Sequence, residues 1–245
     1  MKVSTHSILY NNEIKKGYFL MGFECNTLKK AEPGQFITIS VDGIEANMPL
    51  RRPFTIYKIN NSTVEILYKV VGKGTKLFST LKPGDTINIL GPLGNSFRMF
   101  ENSKIILLGR GVGLASLACL GDSLKKLGCD ITVIASFKDE SSNIIDDYIK
   151  SFSNDIIVVE DEDGTSSCDN VRKIIEGINP DVIYSCGSKR LLRMLQKMKY
   201  KSYVTLEERM GCGLGACLTC AIKTPSGYKR VCKDGPCFDV MEVII

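Results

Sequence analysis

Over roughly the first hundred residues the apolar positions fall in short runs of β-branched and aromatic residues, cut apart by turn formers. Tyr18 to Phe23, Gln35 to Val41 and Thr63 to Tyr68 have strand composition. Glu32-Pro33-Gly34, Lys58-Ile59-Asn60-Asn61 and Lys82-Pro83-Gly84-Asp85 read as turns. This spacing predicts a small antiparallel β-barrel over residues 1–100. The period changes after Pro92. Apolar runs at 104–108, 130–136, 156–159, 181–185 and 202–206 now alternate with helical stretches. Leu114, Leu117, Ala118, Leu124 and Leu127 recur at helical spacing, as do Leu191, Leu192, Leu195 and Met198. Strands alternating with helices predict an α/β domain over 101–206, a parallel sheet with helices on both faces. Residues 207–245 follow as a C-terminal appendage ending in a short hairpin, Ala221 to Val231.

Composition adds exclusions. With 245 residues, 44% of them hydrophobic, the chain has ample material for a buried core. The net charge of +5 is scattered and reads as solvation, not as a nucleic-acid footprint. No apolar run approaches the length of a bilayer span, and Ile105 to Leu108 is strand-sized, so no membrane span is expected. The first residues lead into a polar alternation with no apolar signal segment. Together with ten cysteines, this predicts a reducing, cytoplasmic setting in which thiols bind metal or lie buried. The single histidine, His6, is expected at the surface. One histidine excludes a Rieske centre and any multi-histidine zinc site, and it removes the usual general base.

The most specific chemistry lies near the C-terminus. Cys212, Cys217, Cys220 and Cys232 are spaced C-x4-C-x2-C-x11-C, the plant-type ligand spacing for a [2Fe–2S] cluster. Gly213, Gly215 and Ala216 are small enough to bring main-chain N–H groups close to such a cluster. The alternative is a four-cysteine zinc staple in a binding protein, although zinc ribbons pair two short knuckles and only one occurs here. Cys237 competes with Cys232 as fourth ligand, or fills space as a small hydrophobe. Cys25, Cys119, Cys129, Cys168 and Cys186 are expected to be inert core residues.

Two weaker constellations lie upstream. In Leu50-Arg51-Arg52-Pro53-Phe54-Thr55, a proline-stiffened Arg52 can aim its guanidinium at a pyrophosphate, and the Thr55 hydroxyl can reach a ring nitrogen. Gly72-Lys73-Gly74-Thr75 offers backbone N–H groups to phosphate. Surface charges and an ordinary tight turn explain the same residues. In Leu108-Gly109-Arg110-Gly111-Val112-Gly113, glycines 109, 111 and 113 sit at a βα turn where a dinucleotide can approach. The full G-x-G-x-x-G is missing, because position 114 is Leu, and close strand–helix packing gives the same signal.

The order of these constellations resembles the ferredoxin-reductase-like flavoproteins, whose Arg-Pro-x-Ser/Thr flavin motif matches Arg52-Pro53-Phe54-Thr55. Gly91-Pro92-Leu93-Gly94-Asn95-Ser96-Phe97 and Cys232-Lys233-Asp234-Gly235-Pro236 narrow the resemblance to electron-transfer subunits of two-subunit, NAD-dependent dihydroorotate dehydrogenases. That resemblance covers essentially the whole chain. It implies FAD between barrel and sheet, with Arg52 on the pyrophosphate, Thr55 near flavin N5, Leu67, Tyr68 and Lys69 lining the cofactor, and Gly74 and Thr75 on its phosphates. It implies iron ligation by Cys212, Cys217, Cys220 and Cys232, NAD as hydride acceptor, and a separate flavin-bearing catalytic subunit that oxidises dihydroorotate in pyrimidine biosynthesis. The departures cluster at the nicotinamide site. Relatives show Gly-Gly at 109–110, Pro at 116 and Cys-Gly-Pro near 186–188, where this chain has Gly109-Arg110, Ser116 and Cys186-Gly187-Ser188. Acidic Glu160 to Asp163 also leads into Thr165-Ser166-Ser167, not a glycine-rich continuation. These changes predict weakened NAD binding, or a paralogue that serves a ferredoxin-, sulfide- or hydrogenase-linked complex.

Overall fold

The computed structural model describes residues 2–41 and 49–245. The N-terminal strands are β1 (Lys2–Lys15), β2 (Tyr18–Glu24), β3 (Phe36–Ser40), β4 (Arg52–Thr55), β5 (Lys58–Asn60), β6 (Thr63–Lys69) and, after helix α1 (Lys73–Phe78), β7 (Thr86–Leu93). They form one antiparallel sheet in the order β4-β3-β7-β1-β2-β6-β5. The sheet curls until β4 approaches β6, closing around Met21, Phe23, Ile37, Ile39, Ile66 and Ile87. The predicted turn at 58–61 is shorter than the sequence suggests. Lys58–Asn60 pairs with β6, and only Asn61, with φ 54°, and Ser62 turn the chain. His6 is half-buried, not on the surface. Its Nε2 lies 2.7 Å from Ser4 Oγ and 3.4 Å from Cys25 Sγ.

The second sheet is built from β8 (Lys104–Arg110), β9 (Asp130–Phe137), β10 (Asp155–Glu160), β11 (Val182–Cys186) and β12 (Lys201–Thr205). Helices α2 (Ala115–Lys126), α3 (Asp147–Phe152), α4 (Cys168–Ile178) and α5 (Lys189–Gln196) connect them. All five strands are parallel, which requires cover on both faces. Strand β8 shows how its sequence meets that demand. Ile105 and Leu107 pack with Leu117, Leu120 and Leu124 of α2, while Ile106 and Leu108 pack with Val171 and Ile175 of α4 and Leu191 and Leu195 of α5.

The cysteine-rich segment contains the hairpin β13 (Ala221–Thr224) and β14 (Gly227–Arg230), helix α6 (Val231–Asp234) and strand β15 (Cys237–Asp239). Strand β15 adds antiparallel to β12, giving the order β10-β9-β8-β11-β12-β15. Its approach is fixed from the barrel side. Asn95 N–H donates to the Gly235 carbonyl at 2.6 Å, and Asn95 Nδ2 donates to the carbonyls of Lys233 and Asp234 at 3.3 and 3.2 Å. No helix among the described residues is long and apolar enough to cross a membrane.

Candidate functional site: a cleft shared by barrel, sheet and cysteine segment

All three parts of the chain wall one cleft of about 320 Å³. The barrel contributes Phe36, Pro53, Phe54, Thr55, Leu67, Tyr68, Lys69 and Thr75. The sheet contributes Val112, Ala115, Ser116 and Thr205, and the segment beyond β12 adds Glu207, Met210 and Pro236. The cleft therefore collects Pro53, Phe54, Thr55, Leu67, Tyr68, Lys69 and Thr75 from the residues expected at FAD. Arg52 and Gly74 lie just outside this lining and touch each other: a Cβ on Gly74 would stand 2.5 Å from Arg52 Nε. Phe54 and Tyr68 serve the barrel core as well, ring edge to face with centroids 5.6 Å apart. Tyr68 Oη donates to Asn11 Oδ1 at 3.0 Å. The Thr75 hydroxyl accepts from the N–H groups of Val71 at 2.8 Å and Gly72 at 3.1 Å, so it caps α1. Walls of aromatic and aliphatic side chains with a few hydroxyls, the carboxylates of Glu207 and Glu208 and the Lys69 ammonium suit a flat aromatic ring system such as a flavin.

At the back of the cleft stands a line of polar groups that the sequence reading had not joined. Ser116 Oγ lies 3.2 Å from Thr55 Oγ1, and fully buried Cys186 places Sγ 3.9 Å from Glu207 Oε1. Burial pushes the Cys186 thiol well up, and the nearby Glu207 carboxylate adds to the shift. Glu207 opens onto the cleft, yet the protein around its carboxyl raises its pKa through desolvation. Cys186, taken from the sequence as an inert core thiol, thus sits at the carboxyl end of β11 beside the cleft. That placement is the signal available to a sequence reader, because parallel sheets bind ligands at strand carboxyl ends.

The three glycines expected at NAD divide in two. A Cβ on Gly109 would lie 2.6 Å from Leu114 Cα, and one on Gly113 would lie 2.7 Å from Gly187 Cα, so internal packing already requires both. Gly111, with φ 52°, has open space around it. Arg110, between them, turns its side chain across the end of β9. Its guanidinium meets Ser136 Oγ at 2.8 Å and Asp161 Oδ2 at 2.6 Å.

The cysteines stand as two pairs. Cys212 N–H donates to Cys217 Sγ at 3.4 Å, and Cys217 N–H donates back to Cys212 Sγ at 3.4 Å. Cys232 N–H donates to Cys220 Sγ at 3.5 Å. Gly215 N–H joins the pairs, reaching Cys232 Sγ at 3.1 Å from the loop that carries Cys212. Two thiols per pair suit two bridged irons, whereas one tetrahedral zinc would need all four sulfurs on a single point; among the described residues they do not converge in that way. Leu214 and Ala216 N–H groups also point at Cys212 Sγ, each at 3.3 Å. The Thr219 hydroxyl and nearby N–H groups lower the Cys217 pKa to about 6. Burial, then the neighbouring Cys220, pushes Cys232 up to about 12. Arg230 holds the loop in place, donating to the Gly215 carbonyl at 3.1 Å while forking onto Asp234 at 2.9 and 3.1 Å. Cys237 is not in this set. Its sulfur lies 3.9 Å from Thr205 Oγ1, on the strand beside β12.

A curled antiparallel sheet, a parallel sheet and a cysteine segment around one cleft define a ferredoxin-reductase-like flavoprotein with an iron–sulfur segment. Two family profiles agree: an oxidoreductase FAD-binding domain over residues 12–97, and the iron–sulfur cluster binding domain of dihydroorotate dehydrogenase B over residues 207–244. The chain belongs to the family of dihydroorotate dehydrogenase B (NAD(+)) electron transfer subunits. It is 35% identical to the member from Caldanaerobacter subterraneus subsp. tengcongensis over 97% of this chain and 96% of that one. It is 32% identical to the member from Clostridium acetobutylicum over 100% and 98%. Among solved structures, a chain of an NADH-dependent reduced ferredoxin–NADP oxidoreductase superposes with TM-score 0.85 at 26% identity, covering 98% of this chain and 90% of that one.

Proposed function

We propose that this chain is the electron-transfer subunit of a two-subunit, NAD-linked dihydroorotate dehydrogenase, acting in the cytoplasm in pyrimidine biosynthesis. The observation that carries the reading is the shared cleft, where Thr55, Ser116 and Glu207 meet within one fold with the two cysteine pairs. When bound, FAD supplies the exchange between paired and single electrons, and a [2Fe–2S] cluster supplies the single-electron relay. Pro53, Leu67 and Tyr68 hold and orient the flavin ring, and the apolar walls exclude water from it. Thr55 and Ser116 present hydroxyls where a proton or hydride would be exchanged, and Glu207, its pKa raised by desolvation, stands nearby. Arg52 and the Gly72 to Thr75 turn, in contact beside the cleft, would hold the cofactor's phosphates. Cys212 with Cys217 and Cys220 with Cys232 each hold one iron, with backbone N–H groups stabilising the negative sulfurs. With so few groups suited to acid–base work, oxidation of the organic substrate falls to a flavin-bearing partner subunit.

The test is anaerobic purification followed by an absorption spectrum with flavin, iron and sulfide counts. A flavin band with a broad iron–sulfur shoulder and two irons per chain is expected. A colourless protein holding one zinc would overturn the reading. Co-purification with a dihydroorotate-oxidising subunit separates it from a second reading, a reductase subunit of a ferredoxin-linked complex. That second reading is supported by the likeness to the ferredoxin–NADP oxidoreductase chain.

A further inference from the structure

The carboxyl edge of the parallel sheet is asymmetric. Its order, β10-β9-β8-β11-β12, places the topological switch between β8 and β11, the crevice where such sheets bind nucleotides. One side of that crevice opens onto Ser116 and Glu207. The other side, over the ends of β9 and β10, is filled by a polar network. Arg110 leaves the end of β8, crosses β9 against Ser136, and forks onto Asp161 just beyond β10, at 3.2 Å to Oδ1 and 2.6 Å to Oδ2. Buried Ser166 donates its hydroxyl to the same Oδ1, and Arg190 holds the Ser166 carbonyl at 3.0 Å. Both oxygens of Asp161 are therefore engaged. Arg110 is itself wedged, since its carbonyl lies where a Cβ on Gly187 would come within 2.3 Å.

In dinucleotide-binding sheets, the adenosine ribose is held at the end of the strand that follows the glycine-rich turn, about 20 residues on. Here that strand is β9, and Arg110 lies across its carboxyl end, pinned between Ser136 and Asp161. We propose that the Arg110–Asp161 pair occupies the adenosine-ribose seat, so that this chain recognises a nicotinamide nucleotide by its nicotinamide-ribose-phosphate half. This rests on the reading above that the cleft serves a nicotinamide nucleotide. Three consequences follow for ligands. Reduced nicotinamide mononucleotide serves nearly as well as NADH. ADP-ribose, which keeps the adenosine half, both phosphates and the second ribose but lacks the nicotinamide, binds weakly. Removing the guanidinium frees the seat and restores binding of that half.

The test uses the purified protein with flavin and cluster in place, both confirmed by absorption in every variant. ADP-ribose is titrated calorimetrically into wild type, Arg110→Gly and Arg110→Ala. Opening the end of β9 to the ribose is expected to tighten ADP-ribose binding about tenfold or more in both variants. Equal or weaker binding in the variants would overturn the proposal, as would failure of both variants to bind. Wild type gives a second arm that needs no variant. Its kcat/KM for flavin reduction by reduced nicotinamide mononucleotide is expected within about threefold of that for NADH, and a preference for NADH above about tenfold would overturn the proposal. If neither donor bleaches the flavin while ADP-ribose tightens as expected, the nicotinamide reading of the cleft fails and the occupied seat stands.

Discussion

Replacing Gly94 with alanine tests whether the barrel and the cysteine segment are locked together as the structure shows. Gly94 follows β7 with φ 75°, and its neighbours are the cysteine tail: an added Cβ would lie 2.6 Å from Pro236 Cδ, 2.9 Å from the Gly235 carbonyl and 3.0 Å from Phe36. The left-handed backbone costs an alanine about 1–2 kcal/mol. Overpacking against proline and backbone, which yield little, costs about 1–3 kcal/mol more. Gly94→Ala should therefore destabilise by about 2–5 kcal/mol, a drop of about 5–15 °C in Tm for a chain of this size. Two comparisons isolate the contact. Gly84→Ala, with φ 92° and nothing within 4 Å, carries the backbone strain alone. Gly177→Ala, in α4 with open space, should gain up to about 1 kcal/mol. Because the chain has no tryptophan, urea unfolding is followed by far-ultraviolet circular dichroism, with iron content measured in parallel. A Gly94→Ala cost no greater than that of Gly84→Ala would refute the argument that the tail is clamped against the barrel.

Other outcomes follow from single side chains. Cys232→Ser is expected to lose at least half of the bound iron, while Cys237→Ser keeps it all, as iron and sulfide assays on anaerobically prepared protein would show. Glu207→Gln should slow flavin reduction by NADH about tenfold or more in stopped flow while leaving the flavin spectrum unchanged; an unaltered rate would remove Glu207 from the hydride site. Asp161 is held near pKa 2, chiefly by hydrogen bonds from Arg110 and then Ser166. Its folded pKa lies below the unfolded value of 3.8, so its contribution to stability is present above pH 4 and lost as pH falls toward 2. The pair is about a third open to solvent and screened, so Asp161→Asn should cost no more than about 1 kcal/mol at pH 7. That cost should vanish between pH 4 and pH 2 in urea titrations.

The sequence was most legible where the physics is local. The C-x4-C-x2-C spacing shows which thiols can share a loop, and the alternation along β8 feeds two opposite cores. Residues that meet only through tertiary structure were harder to read. Thr55, Ser116, Cys186 and Glu207 come from β4, α2, β11 and the segment after β12, and no periodicity links them. The glycines at 109 and 113 gave a true signal with two causes, and only the positions of Leu114 and Gly187 show that packing alone demands them. Arg110 was visible as a departure from the family pattern, but its partner lies 51 residues away. Strand β15, three residues long, has too little composition to announce itself, and its pairing with β12 makes it a strand.

That pairing has a consequence for electron transfer. An electron crosses between two centres by tunnelling, and its chance of crossing falls steeply as the gap widens. A cysteine segment joined only by a flexible connection would let the gap fluctuate with every domain motion, and the slowest separations would govern turnover. Here the antiparallel pairing of Tyr203, Val204 and Thr205 with Asp239, Phe238 and Cys237, continued by the Leu206 N–H donating to the Pro236 carbonyl at 3.0 Å, makes the segment one more strand of the nucleotide sheet, while Asn95 ties it to the barrel. The parts of the chain that would hold the two ends of the electron's path are thus mounted on a single frame.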